Sequence, residues 1–216
     1  LIRNGYRPHQ RVMALVRREK LDRRSGLLAS LGLFRRLTLD SSRPIEELAD
    51  AVLKDRPQIL YGNRCHLELV ALEINRRGVR CEGLVLLVAT GEVIHEGCRR
   101  FMEEIYGTAV VESYGSVEMG VMAHQLPNAT GLYLCEDRTV FEFLDEEGRA
   151  VPPGVPGRVV VTDLTNTVMP LVRYDQGDLA EYRVERSPSG RPTRVITRIL
   201  GRDDDYAVMP DGSLRT

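Results

Sequence analysis

The sequence predicts an α/β fold: a partly parallel sheet with flanking helices, followed by an antiparallel β, barrel-like subdomain. Two observations lead there. Over residues 1–128, apolar strand-like runs alternate with amphipathic helical stretches. From about residue 129, short β-type runs are separated by turn chemistry instead. At 216 residues the chain is long enough for one large domain or two small ones with a real core. The expected division is an α/β part over 1–128, an antiparallel β part over 129–200, and a short remainder over 201–216.

Taken in order, RVMALV (11–16) reads as a strand. PIEELADAVLKD (44–55) reads as a helix with Ile45, Leu48, Ala49 and Val52 on one face. Pro44 suits its first turn, Glu46 and Glu47 favour the positive end of its dipole, and Arg56-Pro57 stops it. A short QIL strand follows, then a second helix carrying Leu67, Val70, Ala71 and Ile74 at helical spacing. LVLLV (84–88) is a continuous apolar run, as for a strand buried on both faces. Ile94, Cys98, Phe101, Met102 and Ile105 line a third helix that Gly107 can end, and TAVVE (108–112) is the next strand. Strands alternating with helices imply parallel pairing with right-handed crossovers. In such sheets ligands sit beyond the carboxyl ends of the strands, here Thr90-Gly91-Glu92 and Ser113-Tyr114-Gly115. Beyond residue 129, YLC, TVFEFLD, GRVVVTDL, LAEYRVE and TRVITRIL are split by DEEG, VPPGVPG and SPSG.

Composition is that of an ordinary soluble protein: 43% hydrophobic, 28% charged, net charge −1. A near-neutral balance gives no electrostatic reason for nucleic acid or anionic membrane as partner. The pairs Arg17–Arg18, Arg23–Arg24 and Arg35–Arg36 read as solvated surface. No run approaches the roughly 20 apolar residues of a membrane span, and nothing near the start reads as a signal peptide. Cys65, Cys81, Cys98 and Cys135 are widely spaced, as for reduced thiols, so the cytoplasm is expected. The four histidines are scattered, and His124 with Cys135 is too small a set for zinc.

Three motifs occur in order: SYGSVEMG (113–120), LVRYDQGDLA (171–180) and RILGRDDD (198–205). Together they resemble the core motifs of the adenylate-forming acyl-CoA synthetase and ligase superfamily. The surrounding VPPGVPGRVVVTDLT and MPLVRYDQGDLA are similar to phenylacetate-CoA ligases, and YAVMPDGSLRT is similar to the branch found with capsule synthesis genes. The resemblance implies an ATP-dependent ligase that forms an acyl-adenylate from a small carboxylate and passes the acyl group on, by family default to CoA. It also implies magnesium and a homodimer.

By that resemblance Tyr114, flanked by Ser113 and Gly115, stacks on adenine, and Glu118 is the catalytic acid that binds magnesium beside phosphate oxygens. Asp178 accepts hydrogen bonds from both ribose hydroxyls, since two carboxylate oxygens fit a vicinal diol. Arg202 reaches ribose or phosphate, and Asp204 is the pivot of a hinge that makes 201–216 the approach to a further domain. Gly91 and Glu92 match a segment along the adenine and acyl pocket, and Tyr61, Gly62 and Asn63 sit where a pocket-lining helix begins. Each of these motifs is also ordinary turn chemistry when taken alone.

Two positions depart from the family pattern. Val117 replaces the hydroxyl residue before the glutamate, a loss of roughly 0.5–1.5 kcal/mol that weakens binding about tenfold. Asp175 stands where relatives carry arginine, next to Gln176, which changes local charge by two units. The phosphate loop expected upstream is not found in residues 1–60, nor is the lysine-bearing C-terminal domain present. With Leu1 in first place, the chain is expected to be the central fragment of a longer enzyme, inactive or nearly so alone. The competing expectation is a non-catalytic nucleotide-binding or interaction module descended from such an enzyme.

Overall fold

The computed structural model describes residues 6–17, 33, 35–126, 129–186, 190 and 192–202, with the backbone of 207–208 and 214–215. They form two compact units, Leu1–Ser113 and Tyr114–Thr216.

In the first unit, β1 (Val12–Val16), β2 (Arg36–Asp40), β3 (Ile59–Asn63), β4 (Leu86–Thr90) and β5 (Val110–Ser116) pair in parallel in the order β2-β1-β3-β4-β5. Three helices accompany them: α1 (Ile45–Asp55), α2 (Arg64–Arg76) and α3 (Glu96–Tyr106). The apolar stripes expected of α1 and α2 are the faces they bury: Leu48, Ala49 and Val52, then Leu67, Val70, Ala71 and Ile74. Pro44 occupies the N-cap of α1, and Arg56 leaves the helix at φ 42° because the proline after it disfavours right-handed helical backbone. Gly107, at φ 66°, ends α3. Immediately before that cap, Tyr106 is buried and donates its hydroxyl to the Leu67 carbonyl at 2.7 Å, tying α3 to α2.

Strand limits differ from the sequence expectation in an instructive way. β4 runs over 86–90 rather than 84–88, and β5 over 110–116 rather than 108–112. Leu84 is buried in the core, but pairing with β3 starts only at Leu86, opposite Ile59. An apolar run marks burial, whereas ladder hydrogen bonds set strand limits. β2 was not anticipated because it is an edge strand whose first two residues are exposed, so it lacks a full apolar run.

Glu73 is the unexpected member of the buried face of α2. Arg76 and Arg77 each donate Nε to it at 2.7 Å, and these bonds, Arg76's first, lower its carboxyl from 4.5 to about 2. A depressed carboxyl adds stability that is present above the unfolded value and lost as pH falls through the folded one. Glu73→Gln is therefore expected to flatten the loss of helical circular dichroism between pH 4.5 and about 2. An unchanged acid limb would show that Glu73 makes no such contribution.

The second unit is antiparallel. β6 (Gly120–His124), β7 (Leu132–Leu134), β8 (Thr139–Leu144), β9 (Gly157–Asp163), β10 (Tyr174–Arg186) and β11 (Pro192–Arg202) lie in the order β6-β7-β11-β10-β9-β8. A separate two-stranded pair joins β12 (Ala207–Val208) and β13 (Leu214–Arg215). Along β8, Thr139, Phe141 and Phe143 are buried while Val140 is exposed, the period of two that a sheet with one covered face requires. Phe143 stacks on Tyr182 with ring centroids 4.4 Å apart, over a core that includes Met122, Val159, Val161 and Ile196. Among the described residues no helix is long and apolar enough to cross a membrane.

Candidate nucleotide site

In the first unit, the parallel pairing of β3, β4 and β5 ends in register. Asn63 pairs with Thr90, and Thr90 with Ser113, so all three stand in one row at the carboxyl edge where parallel sheets bind ligands. Sheet order reverses at β1 and β3, and Gly62 lets them come close: a Cβ there would lie 3.2 Å from that of Leu15. Gly91 follows Thr90 at φ 84°, and a Cβ there would lie 3.3 Å from the Asn63 side chain. Both facts make glycine necessary at this turn. Glu92 pairs with Arg64 at 2.5 Å, and Arg64 also holds Glu68 at 2.5 Å. That ion pair fixes Glu92 to the start of α2, a structural role the sequence did not signal.

In the second unit the expected residues split into a group that meets and one residue that does not join it. The Tyr114 hydroxyl donates to Asp178 Oδ2 at 2.6 Å across 64 positions of sequence. Asp178 stands directly opposite Arg202 in the β10–β11 ladder. The Arg202 guanidinium lies over Gly177, where a Cβ would come within 3.2 Å of it. Burial first, and the Asp178 carboxylate next, push the Tyr114 hydroxyl far above its usual range, so it remains a donor at any physiological pH.

The aim of Asp178 comes from an irregularity in β10. Against β9, Asp175 faces Val160, but Leu179 faces Arg158, so more residues lie between the pairs on β10 than on β9. The excess is a bulge over Gln176-Gly177-Asp178, and bulges re-aim side chains beside sites. Gly177 takes φ 70° within it, and Gln176 is buried with no partner for its Nε2 among the described residues. Arg173, just before, holds φ 48°, which is strained for a side-chain-bearing residue. Its N–H donates to Thr162 Oγ1 at 2.9 Å and its Nε to Glu142 at 3.1 Å. Asp175 pairs with Arg158 at 2.7 Å, so the acid that departs from the family pattern is locally neutralised.

Glu118 lies in the turn between β5 and β6 and is exposed. Among the described residues it makes no hydrogen bond or ion pair with Tyr114, Asp178 or Arg202. The motif forms the tip of a β-hairpin between β5 and β6, and Val117 beside Glu118 is 77% exposed. His124 Nδ1 comes within 3.6 Å of Cys135 Sγ, yet no group of three or more His, Cys, Asp or Glu able to hold a metal occurs among the described residues. Asp204 lies outside the described residues.

No family model matches the chain. Against curated proteins, it is 32% identical over 160 residues to a phenylacetate-coenzyme A ligase of Thermus thermophilus, covering 71% of this chain and 36% of that one. A phenylacetate-coenzyme A ligase of Pseudomonas putida is 29% identical over the same length. Among solved structures, 2-hydroxyisobutyryl-CoA ligase in the postadenylation state superposes with TM-score 0.83 at 24% identity, over 99% of this chain and 48% of that one. An anthranilate CoA ligase in complex with anthranoyl-AMP gives 0.68 at 15% identity. The chain thus spans about a third of the curated relatives and half of that solved structure. Sequence match and fold agree that it belongs to the adenylate-forming superfamily, in the branch of the phenylacetate-CoA ligases, of which it represents a part.

Proposed function

We propose that this chain supplies the ribose-binding part of an ATP-dependent, AMP-forming acid–thiol ligase. The single observation behind the reading is the Tyr114 hydroxyl on Asp178 with Arg202 directly opposite. A carboxylate with a cation across the ladder suits a vicinal diol flanked by phosphate. The Tyr114 ring is the platform for adenine. In the reaction, a carboxylate oxygen of the acid attacks the α-phosphorus, the bond to the bridging oxygen breaks, and pyrophosphate leaves. The CoA sulfur then attacks the acyl carbon, its proton goes to solvent, and AMP departs.

Magnesium fits Glu118, because this ion is commonly held by one or two carboxylates plus substrate phosphates and the side chain is exposed. When bound, it neutralises phosphate charge. Asp204 is proposed as the hinge. The four described cysteines are free, which supports a reducing, cytoplasmic setting. A homodimer is part of the same proposal.

Val117, exposed where a hydroxyl is expected, favours a second reading, a nucleotide-binding module without catalysis. One titration addresses the shared premise: AMP with magnesium, followed by calorimetry on this chain. Saturable binding is the expected result. A folded chain that binds no AMP would remove both readings for the chain itself. Pyrophosphate release by the full-length protein then separates enzyme from module.

A further inference from the structure

The amino-terminal edge of the first unit's sheet holds a cleft of about 270 Å³. It lies among the starts of β1, β2 and β3 and the end of α1, at the edge opposite Asn63, Thr90 and Ser113. Arg11, Arg35 and Arg36 line it together with a single acid, Asp55, and the apolar Leu37 and Pro57. We propose that this cleft binds a small phosphate-type dianion. The proposal does not rest on the nucleotide reading, because every residue it uses belongs to the first unit.

Three arguments support it. The first is charge: three guanidiniums face one carboxylate, so the lining carries two positive charges in excess, matching a dianion. Neither Arg35 nor Arg36 has an ion-pair partner among the described residues. Arginines elsewhere in this unit, such as Arg64, Arg76, Arg77 and Arg99, are paired with acids. The second is chemistry. Guanidinium presents a planar fork of donors that matches phosphate oxygens in bidentate fashion, which a scattered set of ammonium groups does not.

The third is preorganisation. The Val12 N–H donates to the Arg35 carbonyl at 2.9 Å, and Gln58 and Ile59 both donate to the Arg11 carbonyl at 3.1 Å. Gln58 Oε1 accepts the Arg11 N–H at 2.8 Å, and Arg11 Nη2 donates to the Arg56 carbonyl at 3.0 Å. Backbone and the Arg11 head are thus fixed before any ligand arrives, which lowers the entropy lost on binding.

The test uses the whole chain and inorganic phosphate in its dianionic form, without magnesium and at low ionic strength, since salt screens exposed charges. Calorimetry is expected to show saturable binding that weakens at least tenfold in the double variant Arg35→Ala/Arg36→Ala. Arg186→Ala, which removes a cation from the second unit, is expected to bind phosphate as the native chain does. Asp55→Asn, which removes the one opposing charge, is expected to bind several-fold more tightly. Absence of saturable binding, equal binding by the arginine double variant, or loss in Arg186→Ala would each overturn the proposal. Circular dichroism confirms that the variants are folded, and the Asp55→Asn arm reads the site independently of them.

Discussion

Asp178→Ala is expected to lower AMP affinity about 100-fold. The carboxylate offers two acceptors to a vicinal diol, and a hydrogen bond to a charged group contributes about 1.5–3 kcal/mol. Two such bonds correspond to about 3 kcal/mol or more, which is a factor of roughly 100 or greater. Asp178→Asn, keeping one carbonyl acceptor, is expected to fall between native and alanine. The same alanine variant also leaves the partly buried Tyr114 hydroxyl without the acceptor it has at 2.6 Å. An orphaned buried donor costs about 1–3 kcal/mol, so thermal stability is expected to drop as well.

The two effects are separable by a double-mutant cycle. Tyr114→Phe added to Asp178→Ala removes the orphaned hydroxyl and is expected to restore part of the stability. It is not expected to restore AMP binding. Native-like AMP affinity in Asp178→Ala would end the assignment of ribose to this carboxylate. Stability that does not recover in the double variant would mean that the Tyr114–Asp178 bond contributes little.

Gly115→Ala is expected to have the largest effect on folding of the second unit, about 3 kcal/mol or more. A Cβ at Gly115 would lie 2.2 Å from the Gly120 carbonyl oxygen and 3.1 Å from the Val121 Cα. Both are backbone atoms of the facing arm of the β5–β6 hairpin, so no rotamer change relieves the clash. The strand must separate, and Tyr114, the residue just before Gly115, loses its hydrogen bond to Asp178.

Gly120 provides the internal control. It adopts φ 66°, yet a Cβ there meets nothing within 4 Å. Gly120→Ala is expected to cost only about 1 kcal/mol, from backbone strain alone. Thermal melts of the two variants distinguish steric exclusion from conformational preference. Equal losses would show that the hairpin opens freely and that close approach is not what glycine provides at position 115.

Much of the first unit was legible in the sequence because its signals are local. The faces of α1 and α2 repeat at helical spacing, and Leu48, Ala49 and Val52, with Leu67, Val70, Ala71 and Ile74, are buried, whereas Ile45 in the first turn of α1 is only partly so. β2 and β6 escaped notice, since an edge strand and a hairpin arm with exposed ends carry half the usual apolar pattern. Glu73 shows the opposite failure: a charge on the buried face is tolerable only because Arg76 and Arg77 fold back onto it.

The candidate site divides along the same physical line. Sequence alone determined which residue types are available, that is, an aromatic beside glycine, an acid after glycine, and an arginine at the end of a strand. Tertiary structure decided which of them meet. Tyr114 finds Asp178 only through antiparallel pairing, Asp178 faces Arg202 only because of the β10–β11 register, and the bulge that aims it exists only relative to β9. It also decided that Glu92 is held by Arg64 and Asp175 by Arg158. Local propensity acts over a few residues, whereas register and charge pairing depend on partners tens of positions away, set only when the sheet closes its hydrogen bonds.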